Sequence, residues 1–225
     1  LPLLVLKYSG MLAPGLRDLY KPFGLAYYSL QLAGYLLDVW HGRTAPTPSY
    51  ARLWCYAGFF LSLTQGPFNR YNTLMPQLEA APKTFETQRL VSGLQRSAWG
   101  YFKKFAIADR AAIVVSAAFA DPASFDRSQL IFATVMYSFQ LYADFSGYTD
   151  IVLGMGEILG LHLPENFRQP FFADSVKDIW ARWHISLSTW FREYVYIPLG
   201  GNRKLLFSGL LFLLPFLLPP SRLLL

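Results

Sequence analysis

The segment Gln129–Leu161 does most to limit how this chain can fold. It is weakly polar and long enough for a membrane span, yet it carries Asp144, Asp150 and Glu157. On insertion scales each carboxylate would cost roughly 2.5–3.5 kcal/mol at a bilayer centre. The segment therefore needs a polar cavity, a basic partner or an interface. Gln140, Asp144 and Tyr148 follow one another at one-turn spacing, which gives a polar stripe along one helix face. Gly147 reads as a break within the segment. Two readings stay open for the acids: a direct role toward substrate, or a partly buried network pairing Asp144 or Asp150 with Arg182 or Arg192.

Composition points to a membrane setting. Of 225 residues, 53% are hydrophobic, 17% aromatic and only 15% charged, against about 25% charged in ordinary soluble domains. Mean hydropathy is +0.27. The net charge of +6 does not indicate nucleic acid, because the basic residues lie in short groups (Arg70, Lys103-Lys104, Arg203-Lys204) between apolar runs. Such placement fits juxtamembrane positive charge. The single cysteine, Cys55, excludes an internal disulfide, and no His/Cys spacing suits a metal. The chain starts at Leu1 inside an apolar run and reads as a piece of a longer protein, so no leader peptide can be judged.

Along the chain, Pro22–Trp40 is barely long enough to cross about 30 Å of hydrocarbon. Ala51–Leu63 is a second apolar run, ended by the break at Gly66-Pro67. Leu74–Gln95 reads as a loop with an amphipathic helix lying on the membrane. Tyr101–Ala120 is a further candidate span, interrupted by Asp109-Arg110. Leu163–Pro170 is a Pro-bounded loop, and 205–219 is a Leu/Phe run. The expected fold is all-α: a multi-pass transmembrane helix bundle with short interfacial helices, one partial domain over 1–225 whose residues 204–225 form an atypical apolar tail. Most of the fourteen Tyr and six Trp read as interfacial anchors or packing.

The chemistry centres on His184. Ile179–Arg192 has helical spacing, with Trp180, His184, Leu187 and Phe191 on one face. Ser175-Val-Lys-Asp178 reads as a capping box before it, and Pro198 with Gly200-Gly201 as its end. Ser188 lies one turn after His184, with Arg182 and Arg192 nearby. A positioned imidazole can take a proton from a hydroxyl. The plainer reading is a histidine packed and hydrogen-bonded inside a helix bundle. His41 and His162 read as ordinary interfacial residues. No nucleophile elbow, Walker loop or dinucleotide fingerprint is present, which leaves His184 as the catalytic candidate.

Several stretches in order resemble the membrane-bound O-acyltransferases: Tyr137–Asp150, Leu163-Pro-Glu-Asn-Phe167, Trp180–Arg192 and Tyr196-Ile-Pro-Leu-Gly-Gly-Asn-Arg203. Pro22–Gln31, Gln65-Gly-Pro67 with Arg70-Tyr71, and Gly100–Lys104 with Ala108-Asp109 extend the match. The resemblance is nearest to the bacterial branch that acts on alginate and teichoic acids, and Tyr196–Arg203 favours its polysaccharide-acetylating side. It implies a ring of helices around a tunnel in a bacterial cytoplasmic membrane. An acyl thioester donor (acetyl-CoA or an acyl carrier) would enter from the cytoplasm as co-substrate, with no tightly bound cofactor. A hydroxyl of a polysaccharide or teichoic-acid-like acceptor would arrive from outside.

Under this resemblance His184 is general base, while Asp144, Asp150, Asn166, Arg182, Ser188 and Arg203 bind substrate or line the tunnel. No metal is implied. The partners implied are membrane lipid, the acceptor polymer, and an extracytoplasmic transferase or acyl carrier protein, without nucleic acid. One departure matters: the family carries a second histidine in a later apolar helix, and the sequence beyond Lys204 turns Leu/Phe-rich without one. The alternatives are an inactive truncated acyltransferase and a non-catalytic membrane transport or assembly subunit. Intramembrane acids and broken helices would suit a transport path, but the internal repeat expected of a transporter is absent.

Overall fold

The computed structural model describes residues 24–80 and 86–201. Among these residues the chain is helical and holds no strand. They divide into two compact units, one holding the described residues up to Glu79 and from Arg168 on, the other those between Ala80 and Phe167.

In the first unit, α1 (Leu25–Trp40) is followed by α2 (Tyr50–Ala57), a single 3-10 turn Phe60–Ser62, and α3 (Tyr71–Glu79). Ser49 caps α2 by accepting from the Arg52 backbone N–H. The expected break at Gly66-Pro67 is present, and it is tied down by polar side chains. Ser62 Oγ donates to the Pro67 carbonyl at 3.1 Å, and Asn69 Nδ2 donates to Ser62 Oγ at 2.8 Å. A Cβ on Gly66 would come within 1.8 Å of the Leu61 carbonyl oxygen, so only glycine lets the loop fold back this far. Later in the chain come α7 (Val176–Arg182), α8 (Ile185–Phe191) and a π-helical turn Arg192–Tyr196.

The second unit is built on a helical hairpin. α4 (Thr87–Phe102) runs without a break through a π-helical turn, Lys103–Ala108, into α5 (Asp109–Ala120). α6 (Arg127–Ile158) returns alongside. Its start is fixed by a full capping box: Asp126 accepts from the Ser128 and Gln129 N–H groups, and Gln129 Oε1 accepts from the Asp126 N–H. The expected break at Gly147 does not occur, for a packing reason. Gly147 faces Gly100 and Gly154 faces Gly93, and a Cβ on Gly100 or Gly93 would lie 2.5 Å from the partner's carbonyl oxygen. Seven-residue spacing on both helices keeps the two small-residue contacts on one antiparallel seam.

Between and beyond these contacts runs a ladder of charge. Asp150 accepts from Arg96 at 3.1 Å and pairs with Lys103. Arg96 also reaches Glu165 at 2.7 Å. Lys104 Nζ lies 2.6 Å from Asp144 and 3.0 Å from Asp109. Consecutive residues of a regular α-helix point 100° apart, so two adjacent lysines should not face one neighbour. Here the π turn that begins at Lys103 accompanies both lysines reaching carboxylates of α6. Asp144 and Asp150 thus take their bases from α4 and the π turn, where the sequence reading had offered Arg182 or Arg192, while Glu157 accepts from Ser92 Oγ. Asp109 likewise pairs with Lys104, four residues and one extra turn-residue back, instead of with its neighbour Arg110.

No helix among the described residues is long and apolar enough to cross a membrane. The all-α class is observed; a multi-pass bundle is not.

Candidate active site

His184 does not sit on a continuous helix. α7 ends at Arg182, Trp183 is extended (φ −112, ψ 126), and His184 is left-handed (φ 44, ψ 52) before α8 begins at Ile185. The apolar spacing continues across the break, which is why the sequence predicts one helix. The backbone carbonyls explain the interruption. The Arg168 N–H donates to the Arg182 carbonyl at 2.9 Å, and Ser188 Oγ donates to the Trp183 carbonyl at 3.2 Å. A continuous helix would give those carbonyls to the N–H groups four residues on. Satisfying them from elsewhere removes the need for the helical ladder at this step.

Left-handed geometry in a non-glycine residue costs about 1–2 kcal/mol and is held only by surrounding packing. Gln169 (φ 47) is the other such residue among those described, and it follows the Arg168 that contacts Arg182. A residue in an uncommon conformation thus lies close to each end of this contact, Gln169 just after Arg168 and His184 just beyond Trp183. Of the expected capping box, Ser175 does accept from the Asp178 N–H at 3.1 Å. The reciprocal half is missing, because the Asp178 carboxylate accepts from the Asp174 N–H and from Arg182.

The His184 ring is buried, with 6% of the residue exposed. It stacks on Phe68 with centroids 6.1 Å apart, and Phe68 stacks in turn on Tyr27 at 4.8 Å. Tyr27, Phe68 and Leu187 form a core cluster with Ala26, Leu30 and Phe191 against it. The Phe68 N–H donates to Ser186 Oγ at 2.9 Å, tying the Gln65–Arg70 loop to the turn that carries His184. Burial pushes the imidazole down to about 3, with a backbone hydrogen bond opposing the shift in part. Burial keeps the ring neutral at pH 7 and makes it a weaker base than free imidazole.

The next turn is braced by a charged cluster. Arg70 pairs with Glu193 at 2.5 Å, lies 4.3 Å from the Tyr194 ring centroid and stands 4.0 Å from Asp38. Tyr194 donates to Asp38 at 2.6 Å, and Trp190 Nε1 donates to the Leu30 carbonyl at 3.1 Å. Gly34 makes room for that indole, since a Cβ there would lie 2.9 Å from Trp190 Nε1. Together these bonds fix α8 and the π turn against α1.

The remaining candidates fall as follows. Arg182 Nε donates to Asp178 at 2.8 Å, and Ser188 is engaged by Trp183, so both hold the His184 turn in shape. Asp144 and Asp150 belong to the ion-pair ladder of the second unit. Asn166, in the same unit, is fully buried. Arg203 lies outside the described residues. Reasoning from sequence missed the stacking partner Phe68, the hydroxyl of Ser186, and the bases Arg96, Lys103 and Lys104. Only the glycine spacing 93/100 and 147/154 could have revealed the last three.

The chain belongs to the membrane-bound O-acyltransferase family, whose sequence model matches residues 42–218. Among its relatives is the protein named Probable alginate O-acetylase AlgI of Pseudomonas putida, 38% identical over 81% of this chain and 37% of the relative. The Peptidoglycan O-acetyltransferase of Helicobacter pylori is 34% identical over 81% of this chain and 39% of its own length. The Teichoic acid D-alanyltransferase of Bacillus subtilis is 31% identical over 80% and 46% respectively. The chain thus spans about two fifths of the length of the curated relatives it matches.

Proposed function

We propose that this chain is the His184-bearing part of a membrane O-acyltransferase. The enzyme moves an acyl group, here acetyl, from a thioester donor to a hydroxyl of a cell-surface or exported polysaccharide. Its place is the bacterial cytoplasmic membrane, as a multi-pass bundle around a tunnel, with an extracytoplasmic transferase or an acyl carrier protein as partner. Support comes from relatives named for O-acetyl or D-alanyl transfer, from the placement of His184 at a left-handed turn, and above all from family membership. A neutral imidazole is held in an uncommon backbone geometry by hydrogen bonds on both flanks.

In the proposed step the acceptor hydroxyl gives its proton to the imidazole while its oxygen bonds to the thioester carbonyl carbon. The carbonyl π electrons shift to oxygen, then return as the C–S bond breaks. The imidazolium passes its proton to the departing thiolate. Such a relay needs no long-lived imidazolium, which suits a ring that burial holds neutral. Asp144, Asp150, Asn166, Arg182, Ser188 and Arg203 shape the tunnel or touch substrate in this reading, Arg182 and Ser188 by holding the His184 turn.

The test is His184→Ala in the full-length protein, with acetate released by base from the cell-envelope polymers as readout and thermal unfolding as a control. Loss of acetylation in a folded variant supports the reading, and retained acetylation defeats it. A second reading, a histidine that only packs, is favoured by the 6% exposure and the Phe68 stack. In that case activity falls only as far as stability does.

A further inference from the structure

The loop that holds the His184 turn contains a buried donor with nothing to bind. Gln65 is 3% exposed, and its Nε2 is buried without a hydrogen-bond partner. Several of its neighbours on the loop are engaged. Ser62, Pro67 and Asn69 bond to one another, Tyr56 donates to the Asn69 carbonyl at 2.8 Å, and Phe68 bonds Ser186 and stacks on His184. An unpaired buried donor is costly, and native structures keep few of them.

We infer that Gln65 is a substrate-binding residue whose amide N–H is kept for the carbonyl oxygen of the acyl group during transfer. The inference rests on the acyltransferase reading of His184. Three residues separate Gln65 from Phe68, so their Cα atoms are at most about 10–11 Å apart. The Phe68 ring centroid in turn lies 6.1 Å from that of His184. Gln65 thus lies on the loop whose Phe68 stacks on His184. Acyl transfer needs a donor near its base, since charge builds on the carbonyl oxygen as the hydroxyl loses its proton. A donor left unbonded in the resting protein gains its hydrogen bond only when substrate arrives. That gain is greatest in the transition state, where the oxygen is most negative. The amide N–H is already desolvated in the resting protein.

The experiment uses membranes carrying the full-length protein with its endogenous acceptor, supplied with acetyl-coenzyme A labelled in the acetyl group. Base-labile label in polymer gives the transfer rate, and thermal unfolding of the purified protein gives stability. Gln65→Leu keeps the volume and removes the donor. Its rate should fall by about 100-fold, as for loss of one such donor, while its unfolding temperature holds or rises because a stranded polar group has gone. Gln65→Glu, which as a carboxylate can only accept, should not restore the rate.

A Gln65→Leu protein that transfers label at the parent rate overturns the inference, and so does one whose unfolding temperature drops, since that marks a structural bond. Activity in Gln65→Glu assigns the residue an acceptor role and overturns the donor. If His184→Ala also transfers normally, or if parent membranes transfer no acetyl label, the acyltransferase reading fails and takes the inference with it. Loss in His184→Ala beside a fully active Gln65→Leu sinks only the inference.

Discussion

Gly154→Ala is the sharpest test of the α4–α6 seam, because two opposing effects predict opposite signs. Alanine in a helix interior is favoured over glycine by about 1 kcal/mol, so propensity alone makes the variant more stable. Against this, the added Cβ would lie 2.4 Å from the Gly93 carbonyl oxygen and from Ser97 Oγ, and 2.9 Å from the Ser97 nitrogen. Ordinary contact begins near 3.4 Å. Two of these three atoms are backbone and cannot rotate away, so the helices must part by about 1 Å. Overpacking of this kind costs roughly 1–3 kcal/mol. Parting also stretches the Asp150 contacts to Arg96 and Lys103 one turn away. The net expectation is a loss of about 1–2 kcal/mol. In a chain of this size that lowers the unfolding temperature by roughly 2–8 °C. Thermal unfolding of the full-length protein in detergent measures it, with Ser138→Ala on the exposed face of α6 as a control that should be neutral. A Gly154→Ala protein as stable as its parent, or more so, would refute the close-packed seam.

Three further outcomes follow from the same structure. Asp150→Ala leaves Arg96 and Lys103 facing each other without their shared carboxylate, and should cost about 2–3 kcal/mol in chemical denaturation, the lower end for a buried pair because Arg96 keeps Glu165. The depressed His184 makes stability fall in acid. Below its unfolded value near 6.5 the unfolded chain takes a proton that the folded ring refuses until about 3, so stability drops by up to about 1.4 kcal/mol per pH unit in that window. His184→Asn should flatten the slope of a pH series of unfolding midpoints between those limits. Ser175→Ala removes the cap of α7 and should cost about 1 kcal/mol locally, seen as faster amide exchange in Val176–Arg182 with the α6 core unchanged.

Periodicity and capping rules carried the helical class, the Ser175 start and the Gly66-Pro67 break, because each depends on residues close in sequence. The misses share one cause. At His184 the apolar spacing persists through the interruption, and what ends α7 is a backbone bond from Arg168, distant in sequence. Gly147 looks like a breaker to a local rule, yet its missing side chain serves the approach of Gly100. The acids of α6 needed bases, as the energetics required, but which bases depended on the antiparallel register of α4. Asp144 and Asp150 are 34% and 18% exposed at their side chains, and each meets a base from α4 or the π turn. The residues themselves singled out His184 and the resemblance gave it a role, and the structure added what surrounds it: the stack on Phe68 and the left-handed backbone.

The most direct measurement is chemical rescue. In His184→Ala the vacated ring volume beside Phe68 should admit free imidazole, so membranes of the full-length variant should lose acetyl transfer and regain part of it as imidazole is added, while Phe68→Trp, which fills that volume, should block the recovery. A variant that transfers at the parent rate without imidazole, or one whose loss imidazole cannot reverse although the protein stays folded, would contradict a proton-accepting His184.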